Sequence, residues 1–568
     1  MKLFKINTFL LCLCLAFNSC TDIDPQDQLA ETNVWKTPEQ YNLFANQFYG
    51  WLRDFNAITD GPHSDSRSDL VTSSTLNVFS NGTNTIPSSD ANYTTAYNRL
   101  RQVNLLLKNA VSYTNPNDIK KSVGEAKFFR AYLHFELLQL YGDAVIADKT
   151  FETTSPELNA KRNPRAEVID FIMRDLYDAS GNLPGAQELS GRDAGRVSRE
   201  AAQAFLSRVA LYEGTWQKFR ANDARGKELL AVAAVAAKKV IDSRAYILFK
   251  NTALDTTAYK YLFILENIKS NPEGLSKSSN TEYILSKRHD EAIAPIGLNI
   301  TQGYLANSLY ITRKMANMYL ARTGLPINPE TWNYSKMASE FNNRDYRMTN
   351  TMMVAGRPYW SNAKGRTTWQ LDDTDLKLSM YPSFTPTFSS GYHNQKWCTE
   401  RVVANTKEGY DFPVIRYGEV LLNYAEAVFE RDGAISDEDL NISLNLVRSR
   451  VNSGMPKLTN ALASGNGLDM RTEIRRERTV ELFNEGFRLD DLKRWKTAEV
   501  ELSMDLLGVK WTGTEFQAKW TDVSRNKNSQ GCLIMETGRV WKERNYLYPL
   551  PTDQLQLNPN LKQNSGWE

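Results

Sequence analysis

The sequence predicts a mainly α-helical protein with a loop-rich stretch set into its second half. Three observations carry that prediction. Apolar residues recur at intervals of three and four over several long segments, the period of a helix with one buried face. Consecutive helical segments are joined by short turns, which suggests paired helices, although no tetratricopeptide repeat signature is readable. Between about residues 250 and 410, Gly356-Arg357-Pro358, Gly365, Pro382, Pro386 and Gly391 break the pattern into loops.

The chain begins with Lys2 and Lys5, an apolar run from Phe9 to Phe17, and Asn18-Ser19-Cys20. A basic start, a short apolar stretch and a small residue before the break describe a secretory signal over residues 1–19. The run is far short of the roughly 20 residues of a spanning helix. A break directly before a cysteine resembles a bacterial lipoprotein signal and makes Cys20 the lipidated residue, although Phe17 stands where such signals usually carry Leu. Acyl chains on Cys20 would anchor the protein at about 0.8 kcal/mol per buried methylene. Thr21-Asp22-Ile23-Asp24 resembles a surface-export signal, and residues 20–37 form a tether with poor periodicity.

After the tether, Tyr97 to Leu107 forms a helix. Val123, Ala126, Phe129, Leu133, Leu137 and Leu140 make the stripe of the next, which Gly142 ends. Ser198 caps a helix running to Tyr212, and Lys227 to Ile241 forms an Ala-rich one. These segments lie in an N-terminal region over 38–250; a C-terminal region over 251–568 holds the loop-rich segment at about 290–410. Leu309 to Leu320 reads as helical there. Val414, Tyr417, Leu421, Ala425 and Val428 form one late stripe, and Leu440, Leu444, Val447 and Val451 another, with Asp432-Gly433 as the turn. Thr472 to Leu482 and Arg488 to Trp495 follow. Pro549 and Pro551 make Tyr546 to Pro551 extended.

Composition narrows the function. With 68 Lys+Arg against 66 Asp+Glu, the chain has no cation excess for a phosphate backbone, so nucleic acid is excluded as the main partner. Four histidines leave little material for imidazole chemistry, and no Cys or His spacing suggests zinc. No metal or cofactor is called for; the acidic cluster Asp372-Asp373-Thr374-Asp375 lacks the EF-hand pattern. No phosphate loop, Gly-x-Ser-x-Gly elbow or His-Glu-x-x-His motif is present. Cys398 and Cys532 either pair or stand as two buried thiols.

Four blocks carry a resemblance. They are Glu125 to Tyr132 running to Tyr141-Gly142-Asp143; Ile415 to Ala427; Ile474 to Arg478 with Glu485-Gly486-Phe487-Arg488, Asp491 and Arg494-Trp495; and Tyr548-Pro549-Leu550-Pro551 with Asn558 to Leu561 and Gln563-Asn564. In this order, behind a lipoprotein signal, they resemble the SusD/RagB family of outer-membrane nutrient-binding lipoproteins of Bacteroidetes. The resemblance implies a SusD-like fold, with a tetratricopeptide-like helix-pair scaffold and a loop-rich part that builds most of the ligand site. It implies a lipid-anchored, surface-exposed protein of the outer membrane that binds oligosaccharide without cleaving it. It also implies a partner, a SusC-like TonB-dependent transporter. One branch of the family handles peptides, which is the alternative ligand; a secreted glycoside hydrolase is the remote one.

The blocks themselves read as scaffold. The Arg/Glu-rich helix near Arg475 is expected to form ion pairs at spacing four, such as Glu477 with neighbours one turn away, Trp495 to pack in the core, and Gly486 to take a positive φ. The ligand residues are sought elsewhere. A sugar needs aromatic platforms for its C–H faces and Asp, Asn, Arg or Gln for its hydroxyls. The loop-like segment 359–397 supplies Trp360, Trp369, Tyr392 and Trp397 with Arg366 among them. Trp360 and Tyr392 sit beside turn-forming residues, which favours exposure, while Trp369 and Trp397 have the alternative of filling a small core. Asp65, Arg67 and Asp69, in the polar stretch Thr59 to Asp69, form a second candidate rim with local ion pairs as the alternative. Asn81-Gly82-Thr83-Asn84 is a third polar stretch, flexible at Gly82.

Overall fold

Asp90 opens the first long helix by accepting the Asn92 amide on its carboxylate, the usual service of a capping Asp to an orphan donor. The computed structural model describes residues 35–59, 61–301, 309–354, 389–519 and 524–568. Its helices are named here α1 (Pro38–Asn46), α2 (Ala91–Ala110), α3 (Lys120–Tyr141), α4 (Arg165–Asn182), α5 (Arg199–Lys218) and α6 (Asp223–Ser243). Each of α2 to α5 packs on the next in sequence, so the first half is a row of neighbouring helices. The short connection from Lys218 to Asp223 turns α6 back along α5, as brief helix links do.

The predicted cap is present: the Ser198 hydroxyl accepts the Ala201 amide at 3.0 Å. The predicted stripe of α3 understates its burial. Glu125, Arg130, His134 and Gln139 are buried along with the apolar face. The charged ones are paired: Arg196 forks onto Glu125 at 2.5–2.6 Å and Arg130 onto Asp175 at 2.7–2.8 Å. Such forks satisfy charges that would otherwise be costly to bury.

Three two-stranded antiparallel sheets complete the fold, the first of them joining an N-terminal strand to a later one. β1 (Val71–Thr72) pairs with β3 (Tyr310–Ile311), β2 (Tyr283–Lys287) with β4 (Phe412–Arg416), and β5 (Leu506–Lys510) with β6 (Cys532–Glu536). Two sequence expectations change here. Leu309 to Leu320 is not one helix, because β3 occupies its start and only α7 (Arg313–Met318) is helical. Val414 belongs to β4, so the late stripe begins at Tyr417, where α8 (Tyr417–Asp432) starts. α8 then lies across α6 and α5, which returns the late chain onto the first helices. α9 (Met470–Glu481) packs on α8, and α10 (Arg488–Arg494) packs on α5. A final helix, α11 (Thr552–Leu557), follows Pro551 directly.

The arginine and glutamate block is a buried network rather than an exposed ladder. Glu477 meets Arg347 at 2.6 Å, a partner from another part of the chain rather than a neighbour one turn away. Glu481 lies within 3.0 Å of Arg347, Arg416 and Arg450, and Glu485 holds Arg416 and Lys396 at 2.6 Å. Burial works to raise the Glu481 carboxyl, yet Arg450, Arg416 and Arg347 pull it down to about 2. The tie is long-range because these guanidinium groups come from chain regions that only the fold brings together. Trp495 is buried and donates its indole N–H to Glu426, and Gly486 has φ +80°. Cys398 and Cys532 are both free and buried.

Candidate functional site

Ser64 begins the site by capping a single 3-10 turn, Asp65–Arg67, with its hydroxyl accepting the Ser66 amide. The carboxylates of that stretch turn inward. Asp65 accepts the backbone N–H of Asn484 at 2.5 Å, in the turn between α9 and α10. Burial pushes the Asp65 carboxyl up to about 7, and the Asn484 and Arg488 amides offset only part of it. Asp69 receives both arms of Arg488 at 2.7–2.8 Å and Lys314 at 2.6 Å. Burial opposes its ionisation, but those two cations hold it well below the usual carboxylate range. Asp65 and Asp69 are therefore struts between the N-terminal loop and the α9–α10 turn, and the expectation of a ligand rim fails for both.

Arg67 alone among the predicted rim residues lines a cleft. Its guanidinium lies 3.7 Å from the centre of the Phe79 ring, and Phe79 stacks on Tyr548 at 5.0 Å. Arg67 also donates to the Tyr548 hydroxyl. This stack fixes the guanidinium beside a cleft of about 380 Å³ whose wall runs from Ser73 to Phe79, closed by Leu309. Ser73, Ser74, Thr75 and Asn77 bring hydroxyl and amide groups; Leu76 and Val78 stand exposed. This loop is not among the stretches that stand out in the sequence. Its one signal was the pair Leu76 and Val78, apolar residues inside a polar run.

The neighbouring stretch Asn81 to Asn84 is docked. A Cβ on Gly82 would fall 1.7 Å from the Val540 carbonyl oxygen, so only glycine at φ +75° passes under that strand of backbone. The Asn84 side chain accepts from Asn545.

The aromatics of the loop-rich segment divide. Trp360, Arg366 and Trp369 lie outside the described residues, as do Asp372, Asp373 and Asp375. Tyr392 and Trp397 are fully buried, which corrects the expectation that they offer faces to a ligand. Tyr392 donates to Glu340 at 2.6 Å. Trp397 donates to the Asn484 carbonyl at 2.9 Å and stacks on Phe412, with Phe55 and Phe263 edge-on. The turn at Gly391 that suggested exposure instead feeds both rings beneath the 337–341 helix and the α9–α10 turn. Trp397 fills a core, the alternative the sequence left open.

A larger cavity of about 680 Å³ lies between α2, the segment 145–159 and α11. Its walls include Tyr97, Phe151, Leu158 and Leu557. Several of its polar groups are committed: the Tyr97 hydroxyl exchanges hydrogen bonds with Val145, and Lys149 pairs with Glu157. The smaller cleft sets Arg67 beside Ser73, Ser74, Thr75 and Asn77, with Ser73 donating to the Thr75 carbonyl and Asn77 accepting the Phe79 and Ser80 amides, a mixture that suits a ligand rich in hydroxyls.

Residues 265–567 match the family profile described as the SusD family, and residues 20–211 match one described as "Starch-binding associating with outer membrane". SusD-like protein P38 of Formosa agariphila is 23% identical over 514 residues, spanning 86% of this chain and 91% of that one. A SusD-like carbohydrate-binding protein from Bacteroides fragilis superposes with a TM-score of 0.71 at 20% identity, covering 93% of this chain and 99% of the other. Surface glycan-binding protein A from Bacteroides fluxus superposes at 0.60 with 17% identity, covering 93% and 99%. At these identities the structural likeness speaks for the fold. No helix among the described residues is long and apolar enough to cross a membrane.

Proposed function

Because the chain belongs to the SusD family, we propose that it is a non-catalytic, cell-surface lipoprotein, anchored to the outer membrane through Cys20. It captures oligosaccharide and hands it to a SusC-like TonB-dependent transporter. The family profiles and the glycan-binding descriptions of two structural neighbours support this reading. The observation that carries the site is the cleft at Arg67: a guanidinium held on an aromatic stack faces a wall of hydroxyls and exposed apolar side chains.

Sugar rings have the matching chemistry. Their hydroxyls accept from the guanidinium and exchange hydrogen bonds with Ser73, Ser74, Thr75 and Asn77. Their C–H faces lie against Leu76 and Val78, which removes apolar surface from water at about 25 cal/mol per Å². Trp360, Arg366 and Trp369 belong to the same proposal as further contacts.

Calorimetric titration tests it, with the chain from Thr21 to Glu568, which keeps every described element, and a panel of plant, host and microbial oligosaccharides and mixed peptides. One glycan class is expected to bind, with Arg67→Gln and Leu76→Ala each weakening it by about tenfold, the worth of one lost polar or apolar contact. Trp360→Ala tests the loop segment. Loss in Phe151→Ala instead would move the site to the larger cavity. Binding of peptides alone would replace oligosaccharide as the ligand.

A further inference from the structure

Arg288 follows β2 and leans on the turn at Gly191–Gly195 that leads into α5, its guanidinium donating to the Ala194 carbonyl at 3.0 Å. With the segment around Asn46 to Leu52, these residues line an open cavity of about 400 Å³. Its walls carry four cations, Arg192, Arg196, Lys287 and Arg288, and among the described residues no carboxylate lines it. Arg196 is neutralised by the fork of Glu125 behind it. The other three are not. Among the described residues Lys287 reaches only the Tyr49 carbonyl, at 3.3 Å, and the nearby Asp193 is engaged by Lys121 at 2.6 Å.

Three like charges gathered on one concave surface repel one another, and a concave wall concentrates their field. Backbone carbonyls hold Lys287 and Arg288 in place without cancelling their charge. An anion entering here gains charge-assisted hydrogen bonds from preset donors, the strong class of such bonds. The cavity lies close to the cleft. Leu52 lines one and Thr59 the other, so seven residues of chain bound their separation to about 25 Å.

We propose that this cavity binds an oxyanion group, carboxylate or sulfate ester, carried by an acidic glycan. The proposal deepens the glycan-capture reading and rests on it for the word glycan; the anion site rests on the cavity alone.

The test uses the chain from Thr21, titrated with tetragalacturonate, with neutral tetragalactose, and with inorganic sulfate. Arg192→Gln/Arg288→Gln removes two exposed charges, and Lys336→Gln/Lys542→Gln removes two elsewhere as the control. Tetragalacturonate is expected to bind about tenfold tighter than tetragalactose, an advantage that salt erodes. The first double variant loses that advantage and the control keeps it. Measurable but equal affinity for the two tetramers overturns the proposal, as does an advantage that survives in Arg192→Gln/Arg288→Gln. If no glycan binds, sulfate decides. A rise in unfolding temperature for the wild type but not for the first double variant supports the anion site and overturns these tetramers as its glycans, leaving glycan capture to the oligosaccharide panel. An equal rise in both overturns the anion site.

Discussion

His134 provides a sharp test of how this scaffold is held. Its Nδ1 lies 2.8 Å from the Arg130 carbonyl oxygen and its Nε2 lies 3.1 Å from the Ala147 amide nitrogen. The carbonyl needs a donor and the amide an acceptor, so the ring is neutral with its proton on Nδ1. A second proton on Nε2 would set two N–H groups against each other in a fully buried site. Burial lowers the imidazole from its ordinary 6.5 to about 3; the Arg130 carbonyl pulls it back up and the Arg130 charge presses it down.

The unfolded chain binds a proton at this residue as pH falls through 6.5, while the folded chain does so only near 3. The unfolded state then holds more protons, so stability is fully present above the window and is lost as pH falls across it. The full interval is worth about 5 kcal/mol, of which about 3 kcal/mol is gone by pH 4.5. Urea unfolding of the wild type and of His134→Gln at pH 7.5 and 4.5 reads this directly. Gln has an oxygen for the Ala147 amide and no group that titrates. The carboxylates contribute alike to both proteins and cancel. The wild type is expected to lead at pH 7.5, with that lead shrinking by about 3 kcal/mol at pH 4.5. A lead that does not change with pH would refute the argument.

Three further outcomes are expected. Glu481→Gln leaves Arg347, Arg416 and Arg450 short of their shared counter-charge in a dry site, and costs about 3–5 kcal/mol in urea unfolding; a loss under 1 kcal/mol would mean the network is solvated. Gly486→Ala forces a Cβ into φ +80° and sets it 3.2 Å from the His63 carbonyl oxygen, lowering stability by about 1–2 kcal/mol, which a shift in melting temperature measures. Cys398 and Cys532 are free and buried, so a thiol reagent added to the chain from Thr21 should find none in the native state and two after denaturation, without reductant; finding none after denaturation would reveal a disulfide.

The helical class and the positions of most long helices are legible without the fold. Helix signals are local: α3 and α5 announce themselves through spacing, a capping Ser198 and a terminating Gly142 within one continuous segment. The ordered blocks from Glu125 to the C-terminus were legible for the same reason, since each is a short run of neighbours, and the family profiles match across them. The site was much less legible. Arg67 was singled out from polarity alone, but its place at the cleft depends on Phe79 and Tyr548, the latter 481 residues away. Asp65 and Asp69 looked like rim residues because nothing local shows that Asn484 and Arg488 will meet them 419 positions later. Tyr392 and Trp397 sit beside a turn, and turns are usually exposed; only Glu340 and Asn484, brought in by the fold, decide that both rings are buried. Spacing records which side chains share a face of one element. Which element covers that face, and which charge from across the chain answers a buried charge, is settled by packing in three dimensions.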